Sequence, residues 1–480
     1  YYCGKNVKGD GCSMKPQPSG KEKLRSLPSM DLLLSIPELG PYFSSLGRET
    51  VKSVLSETLK VMRDKIINGE DTVPSPEAVF ALAFPELKAK KTGSLRRVVN
   101  ATGVVVHTNL GRSCLAREAM DAVTAVSGSY STLEYDLSEG RRGHRTDHVE
   151  WLIRAITGAE SGLAVNNNAG AVLLMLAALC SGKEVIVSRG ELVEIGGSFR
   201  IPEIMAFSGA KLVEVGATNR THLKDYRNAI TGETAAVLKV HPSNFRMEGF
   251  TSSVPREELA MLAREREILF LEDLGSGTII DLSSFGLKGE PTVSDCIRQG
   301  VDVVTFSGDK MLGGPQIGCI AGKSEIIKKL RTFPLLRALR VDKMTLAAFE
   351  ATLRLYLSER FLDIPTLSML GVKADDLRNR ALSLSAQLKE TLPEASISVV
   401  EVEDAVGGGA FPAETLPGWG VTVSMEALGS AGNILALLRE CTVPVIAGAR
   451  ENMTVLHVRT LIQGDEDIIC SAFRSIAAGR

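Results

Sequence analysis

The sequence predicts an α/β protein: a mostly parallel sheet covered by helices, preceded by a small helical module and followed by a compact α+β domain. Three observations predict it. Between residues 97 and 345, short β-rich runs alternate with stretches of helical length and period. Before them, residues 48–67 repeat apolar side chains at helical spacing, and after about residue 370 strand-like runs flank a Gly407-Gly408-Gly409 turn. A length of 480 residues fits two or three domains at ~150 residues each.

In chain order, residues 1–23 read as a disordered extension. The chain begins with Tyr, and Met14 is expected as the natural start, which would leave Cys3 and Cys12 outside the fold. Residues 24–96 form the helical module. Val51, Val54, Leu55, Leu59, Met62 and Ile66 fall on one helical face, with Lys52, Lys60, Arg63 and Lys65 mostly on the other and Gly69 as a stop. That basic side is either a binding surface or an ordinary solvated face. Pro74 and Pro76 interrupt the pattern, and a second helix is expected over 77–90.

The middle part, 97–345, contains the runs LAV (163–165), EVIVS (184–188), KLVEV (211–215), AAVLKV (235–240), ILFLE (268–272), DVVTFS (302–307) and IGCIAG (317–322). Sheets of this kind bind ligands at the carboxyl ends of their strands, so chemistry is expected just after these runs. The last part, 346–480, starts with a linking helix across 342–358. It continues with a helix at 374–392, the strands ISVVEV and GVTVSM, a helix at 431–440 and the strand MTVLHVRTL.

Composition narrows the function. Lys+Arg is 55 and Asp+Glu 57, so a net charge of -2 excludes a uniformly basic nucleic-acid coat but leaves room for a local basic site. Hydrophobic residues make up 44% and charged residues 23%, as in globular proteins with a sizeable core. No apolar run reaches the ~18–20 residues that span a bilayer. The first residues lack an apolar signal core, and the 8 Cys lie mostly in apolar stretches, so reduced thiols in a cytoplasmic protein are expected.

Two motifs fail on spacing. GCIAGKS (318–324) has three residues between its glycines where a phosphate-binding loop needs four, and reads as a strand ending in a turn. Ser307-Gly-Asp-Lys310 matches the Ser-x-x-Lys of acyl enzymes, but the only KTG lies upstream, at 91–93. SGDKMLGGPQIG has a better reading. A strand ends, Lys310 follows, and a Gly-Gly-Pro turn leads to the next strand, so the amine is held at the sheet's carboxyl edge. Partial burial and nearby positive charge would depress its pKa and let it condense with an aldehyde. Pyridoxal phosphate also needs a carboxylate for its ring nitrogen and a cup for its phosphate. Asp273, directly after ILFLE, suits the first. Asn168, Ala169 and Gly170, between a strand and a long apolar helix, suit the second, and Ser307 adds a hydroxyl.

The long blocks NATGVVVHTNLGR (100–112), TLEYDLSEGRRGHR (132–145), VNNNAGAVLLMLAA (165–178), EDLGSG (272–277), FSGDKMLGGPQ (306–316) and LLRALRVDKMTLAAFEATLRLYL (335–357) resemble bacterial selenocysteine synthase, the L-seryl-tRNA(Sec) selenium transferase family. The resemblance runs from about Leu24 onward, with Gly170 standing where the family pattern usually has Ala. It implies a type I pyridoxal phosphate-dependent transferase fold, with an aspartate aminotransferase-like large domain and Lys310 as the Schiff-base residue. It also implies an N-terminal tRNA-binding domain and a ring-shaped homodecamer. The implied reaction converts L-seryl-tRNA(Sec) to L-selenocysteinyl-tRNA(Sec). Lys310 removes the Cα proton, Asp273 stabilises the protonated ring, an aminoacrylate forms, and the selenium of selenophosphate adds. Asp309 is a general-acid candidate, with a structural salt bridge as its alternative. Arg337 and Arg340, spaced to share a helical face, join Arg112 as the selenophosphate site. The Arg141–Arg145 loop attracts either the tRNA acceptor end or a neighbouring subunit's cofactor phosphate. His241, His144 and His148 receive no role. A small-molecule ammonia-lyase or β-eliminating enzyme and a silent tRNA-binding scaffold are the alternatives.

Overall fold

The computed structural model describes residues 24–68, 73–195, 199–412 and 414–479. The expectations for residues 1–23, and for Gly69 as a helix stop, lie outside the described residues. The chain divides into two units, Tyr1–Arg97 and Val98–Arg480.

In the first unit the helices Met30–Leu34, Gly40–Leu46, Arg48–Ile67 and Pro76–Lys91 surround a small core. The six apolar residues of the predicted stripe on Arg48–Ile67 are all buried, and Lys52, Lys60, Arg63 and Lys65 are exposed. Leu33, Leu39, Val51, Leu55, Val79 and Leu87 have no accessible surface. Each such side chain contributes roughly 1.5–3 kcal/mol on leaving water. Ser75 caps the last helix by accepting from the Ala78 N–H, with Pro76 in the first turn where its missing donor costs nothing.

The second unit opens with β1 (Val99–Ala101) and β2 (Val104–Val106), followed by the short pair β3 (Tyr135–Asp136) and β4 (Arg141–Arg142). Then come β5 (Ser161–Val165), β6 (Glu184–Ser188), the pair β7 (Glu194–Ile195) and β8 (Phe199–Arg200), β9 (Lys211–Val215), β10 (Thr234–Val240), β11 (Leu269–Gly275), β12 (Val303–Ser307) and β13 (Gly318–Gly322). The seven runs singled out in the sequence become one sheet in the order β5-β13-β12-β11-β10-β6-β9. All its neighbours are parallel except β13, which is antiparallel to both β12 and β5. Alternate residues of these strands enter two different cores. Val185, Val187, Leu238 and Leu271 join one, while Ile186, Val237, Phe270 and Val304 join the other. Both faces are therefore covered, as continuous apolar runs require.

GCIAGKS is β13 leading through Lys323 into the helix Ser324–Thr332, and Lys323 pairs with Asp302 at 2.7 Å. The predicted linking helix is Lys343–Leu357, capped by Asp342, which accepts from the Met344 and Thr345 N–H groups.

A second sheet contains β14 (Ser396–Gly407), β15 (Thr415–Ser424), β16 (Val445–Arg450) and β17 (Met453–His457), in the order β1-β16-β17-β15-β14-β2. Strands β1 and β2, some 300 residues upstream, thus complete a sheet whose other members are C-terminal. Helices Ala374–Thr391, Ala431–Glu440 and Asp465–Ala478 share its core. A buried ion cluster ties this sheet together. The carboxylate of Asp404 accepts from Arg459 Nε at 2.7 Å and lies 2.7 Å from His457 Nδ1. Arg459 also donates to the Met369 and Pro417 carbonyls. A side chain at Gly418 would put its Cβ 2.0 Å from Asp404 Oδ2, so glycine there makes room for the carboxylate.

Truncating one member of a buried charge pair strands the other. Arg459→Met should lower stability by about 3–5 kcal/mol in urea unfolding, and an unchanged midpoint would show that the cluster is dispensable.

Candidate active site

Three carboxyl strand ends converge. β12 ends at Ser307, and Lys310 follows in the turn before β13. Asp273 lies inside β11 rather than after it. Its register partners are Val240 and Thr305, and the strand continues to Gly275, so the ladder extends beyond the apolar run that marked it. β10 ends at Val240, and the His241 N–H donates to the Asp273 carbonyl at 2.9 Å.

Lys310 and its neighbours are held from several sides. Ser113 Oγ donates to the Lys310 carbonyl at 2.6 Å, and Arg112 Nη1 donates to Asp309 Oδ2 at 2.6 Å. Tyr356 fixes the next turn by donating to the Leu312 carbonyl. The Gly407–Gly409 turn of the second sheet covers the amine. A Cβ built at Gly409 would lie 2.5 Å from Lys310 Nζ, and the φ of +92° there is a left-handed conformation that favours glycine. The ideal Cβ position of Gly275 is 4.0 Å from Lys310 Nζ, 3.9 Å from Asp273 Oδ1 and 3.7 Å from Ser243 Oγ, which places these three groups around one small space.

The charges in that space are displaced from their ordinary behaviour. Lys310 is 7% exposed, and burial drives its pKa down; the Arg112 cation adds to this, while Asp273, Asp309 and Glu290 oppose it. Burial drives Asp273 up, against a 2.8 Å hydrogen bond from Asn168 Nδ2, the Lys310 charge and the Thr305 hydroxyl.

The predicted cup is a helix N-terminus. Asn168 and Ala169 open the helix Asn168–Cys180, and Asn167 Oδ1 caps it by accepting from the Gly170 N–H at 2.8 Å. The Asn168 side chain turns to Asp273 and leaves the cup to main-chain donors. At Gly170 a Cβ would lie 3.0 Å from Leu339 Cδ2, so the small residue accommodates the loop that carries the arginines. That loop is tied to the cup, because the Asn166 N–H donates to the Leu339 carbonyl.

Arg337 and Arg340 do not share a helical face. Pro334–Arg337 is a single 3-10 turn, and Arg340 lies in the link before the Asp342 cap, because Pro334 and Asp342 set separate starts. Both arginines are exposed, and Arg340 reaches Glu134 at 3.7 Å. Glu134 also accepts from Arg142 and Arg145, so the Arg141–Arg145 loop and Arg340 meet on one carboxylate. The hydrogen bond from Arg145 lowers the pKa of Glu134. Arg112 pairs with a different carboxylate, Asp309.

Sequence reasoning missed Ser243, His107 and Glu290, and assigned Asn168 only to the cup. Ser243 Oγ, Asn168 Oδ1, His107 Nδ1 and Glu290 Oε1 are buried without a hydrogen-bond partner. His241, given no role from sequence, has its Nε2 2.9 Å from Glu290 Oε2. Only the position of His241 and Ser243 just past a strand end could have marked them; Glu290 and Gly409 carry no such signal.

The strand order, with a single antiparallel strand following the lysine turn, is that of the type I fold found in pyridoxal phosphate-dependent transferases. Consistent with this fold, D-glucosaminate-6-phosphate ammonia-lyase superposes with a TM-score of 0.57 at 20% identity, over 80% of this chain and 96% of that one. The L-seryl-tRNA selenium transferase family model matches residues 98–462, and the selenocysteine synthase N-terminal model matches residues 24–63. The L-seryl-tRNA(Sec) selenium transferase of Clostridium perfringens is 48% identical over 95% of this chain and 99% of its own length. That of Moorella thermoacetica is 48% identical over 94% and 96%. The chain belongs to the L-seryl-tRNA selenium transferase family.

Because Arg112 opposes the ammonium form of Lys310 and also occupies Asp309, Arg112→Gln should shift the amine's titration to higher pH. Reductive methylation of Lys310 in cofactor-free protein, followed by mass spectrometry across pH, measures the midpoint. A midpoint that stays put or falls would contradict the electrostatic account.

Proposed function

We propose that this protein converts L-seryl-tRNA(Sec) to L-selenocysteinyl-tRNA(Sec) with selenophosphate, using pyridoxal 5'-phosphate carried on Lys310. The observation that carries the reading is a buried lysine of depressed pKa beside a buried aspartate at adjoining strand ends, in a chain 48% identical to such transferases along nearly its whole length. The unpartnered Ser243 and Asn168 oxygens support the presence of a compact polar group between these residues. When bound, pyridoxal phosphate supplies an electron sink for an amino acid joined through its amine.

The chain's own residues do the rest. Asp273, made more basic by burial, would hold a proton on the cofactor's ring nitrogen. The N–H groups of Asn168 and Ala169, with the Ser307 hydroxyl, would hold its phosphate at the helix N-terminus. The Lys310 amine would take the Cα proton, for which a lowered pKa is suited. Loss of the seryl hydroxyl as water leaves a dehydroalanyl ester on the tRNA. Selenium then bonds to Cβ, the Lys310 ammonium returns a proton to Cα, and water cleaves the P–Se bond to give phosphate. Arg112, Arg337 and Arg340 attract the selenophosphate anion. Asp309 remains a candidate proton donor to the hydroxyl, but its contact with Arg112 better supports positioning of the lysine turn.

The exposed cations of Arg48–Ile67 face the tRNA body, and the protein works in the cytoplasm as a homodecameric ring. Exposed Tyr130, Tyr135 and Leu137 near the Arg141–Arg145 loop support a further covering surface between subunits. A small-molecule lyase with this fold would have no use for the N-terminal unit.

Gel-shift titration should show tighter binding of selenocysteine tRNA than of serine tRNA. Reversing Lys60 and Arg63 to Glu should weaken it at least about tenfold and flatten its salt dependence. Equal affinity for both tRNAs, untouched by the reversal, would remove tRNA selection from the account.

A further inference from the structure

A cleft of about 740 Å³ opens at the carboxyl ends of β6 and β10, beside the lysine site. His241 and Glu290 form part of its wall, and Glu290 is one of the charges acting on Lys310. Phe411, two residues beyond the glycine that covers the lysine amine, lines it from the second sheet. Nothing in the roles assigned above uses this space.

Three properties select its occupant. Its size lies within the ~300–1,000 Å³ of sites for drug-sized ligands, far more than one tetrahedral anion fills. Its half-buried cations are already neutralised, since Lys239 pairs with Glu191 at 2.9 Å and Arg256 with Glu272 at 2.6 Å, while the exposed cations Arg220 and Lys288 line it nearer solvent. Its buried unsatisfied atoms are acceptors: Glu290 Oε1 and Gln299 Oε1 both lack a donor. A carboxylate oxygen and an amide oxygen repel an anion and attract N–H and O–H groups. The part of the ligand that meets these oxygens is therefore uncharged and rich in donors, and it is flat enough to lie against half-buried Phe245. At the lining residue Arg220, the guanidinium stacks over Phe250, which is 83% exposed, 5.7 Å from the ring centre.

We propose that this cleft seats the 3'-terminal nucleoside of the aminoacyl-tRNA, with Gln299 accepting from the base amine and Glu290 from the ribose hydroxyls. The inference rests on the tRNA reading above and extends it to a specific seat. The base gains stacking on phenylalanine, and the adjoining ester places serine toward Lys310.

The test uses seryl-tRNA whose terminal adenosine is replaced by purine riboside, which lacks the exocyclic amine. In the wild-type holoenzyme KM should rise about tenfold, the worth of one hydrogen bond. Gln299→Leu should raise KM for ordinary seryl-tRNA by about the same factor and show no further rise with purine riboside, while its cofactor absorbance stays that of the wild type. Independently, an azidoadenosine at the 3' end should label peptides spanning residues 241–247 or 288–299. Equal KM for both ends in the wild type, a purine riboside effect that persists in full in Gln299→Leu, or label confined to other peptides would overturn the inference. Wild-type enzyme that transfers selenium to no seryl-tRNA would instead overturn the functional reading on which it rests.

Discussion

Removing the Lys310 amine from water is the constraint on which the rest of the site depends. Three carboxylates favour its ammonium form, yet burial, aided by Arg112, prevails and lowers its pKa. The same burial raises Asp273, so the two groups are displaced toward each other's proton affinity. Such a pair is costly unless its polar groups are held in place, and the surroundings hold the carboxylate and the lysine turn. Asn168 and Thr305 donate to Asp273, and Ser113 fixes the main chain at Lys310.

Both sheets contribute to that burial. The seven-stranded sheet delivers the lysine and the aspartate at its carboxyl edge, and the six-stranded sheet supplies the glycine turn that covers them. β2 and β14 pair side by side at Val104–Ala405 and Val106–Gly407, which aims the turn at the lysine. The Asp404 cluster lies three residues before Gly407 and anchors the same strand to β17 and the segment after it. An ion cluster remote from the chemistry thus fixes the roof of the site.

The central sheet was legible because its strands are buried on both faces and their apolar runs end at turn residues. Lys310, Asp273 and the Asn168 turn could be read from their positions after those runs. Strand length was less visible. Asp273 is polar, so the apolar run stops before it, whereas ladder pairing carries the strand through it. The exchange of β1 and β2 into the C-terminal sheet left no local trace, since parallel pairing across some 300 residues has no sequence period. Arg337 and Arg340 were placed on one helix from spacing alone, and the Pro334 and Asp342 starts separate them. Glu290 and Ser243 are ordinary polar residues in sequence, and only their burial without partners marks them.

The account is tested most directly by reducing the purified holoprotein with borohydride and mapping its peptides by mass spectrometry. It predicts a pyridoxyl group on the peptide that contains Lys310, and no such mass in Lys310→Ala. A pyridoxyl group on another lysine, or none after reconstitution with pyridoxal phosphate, would contradict it.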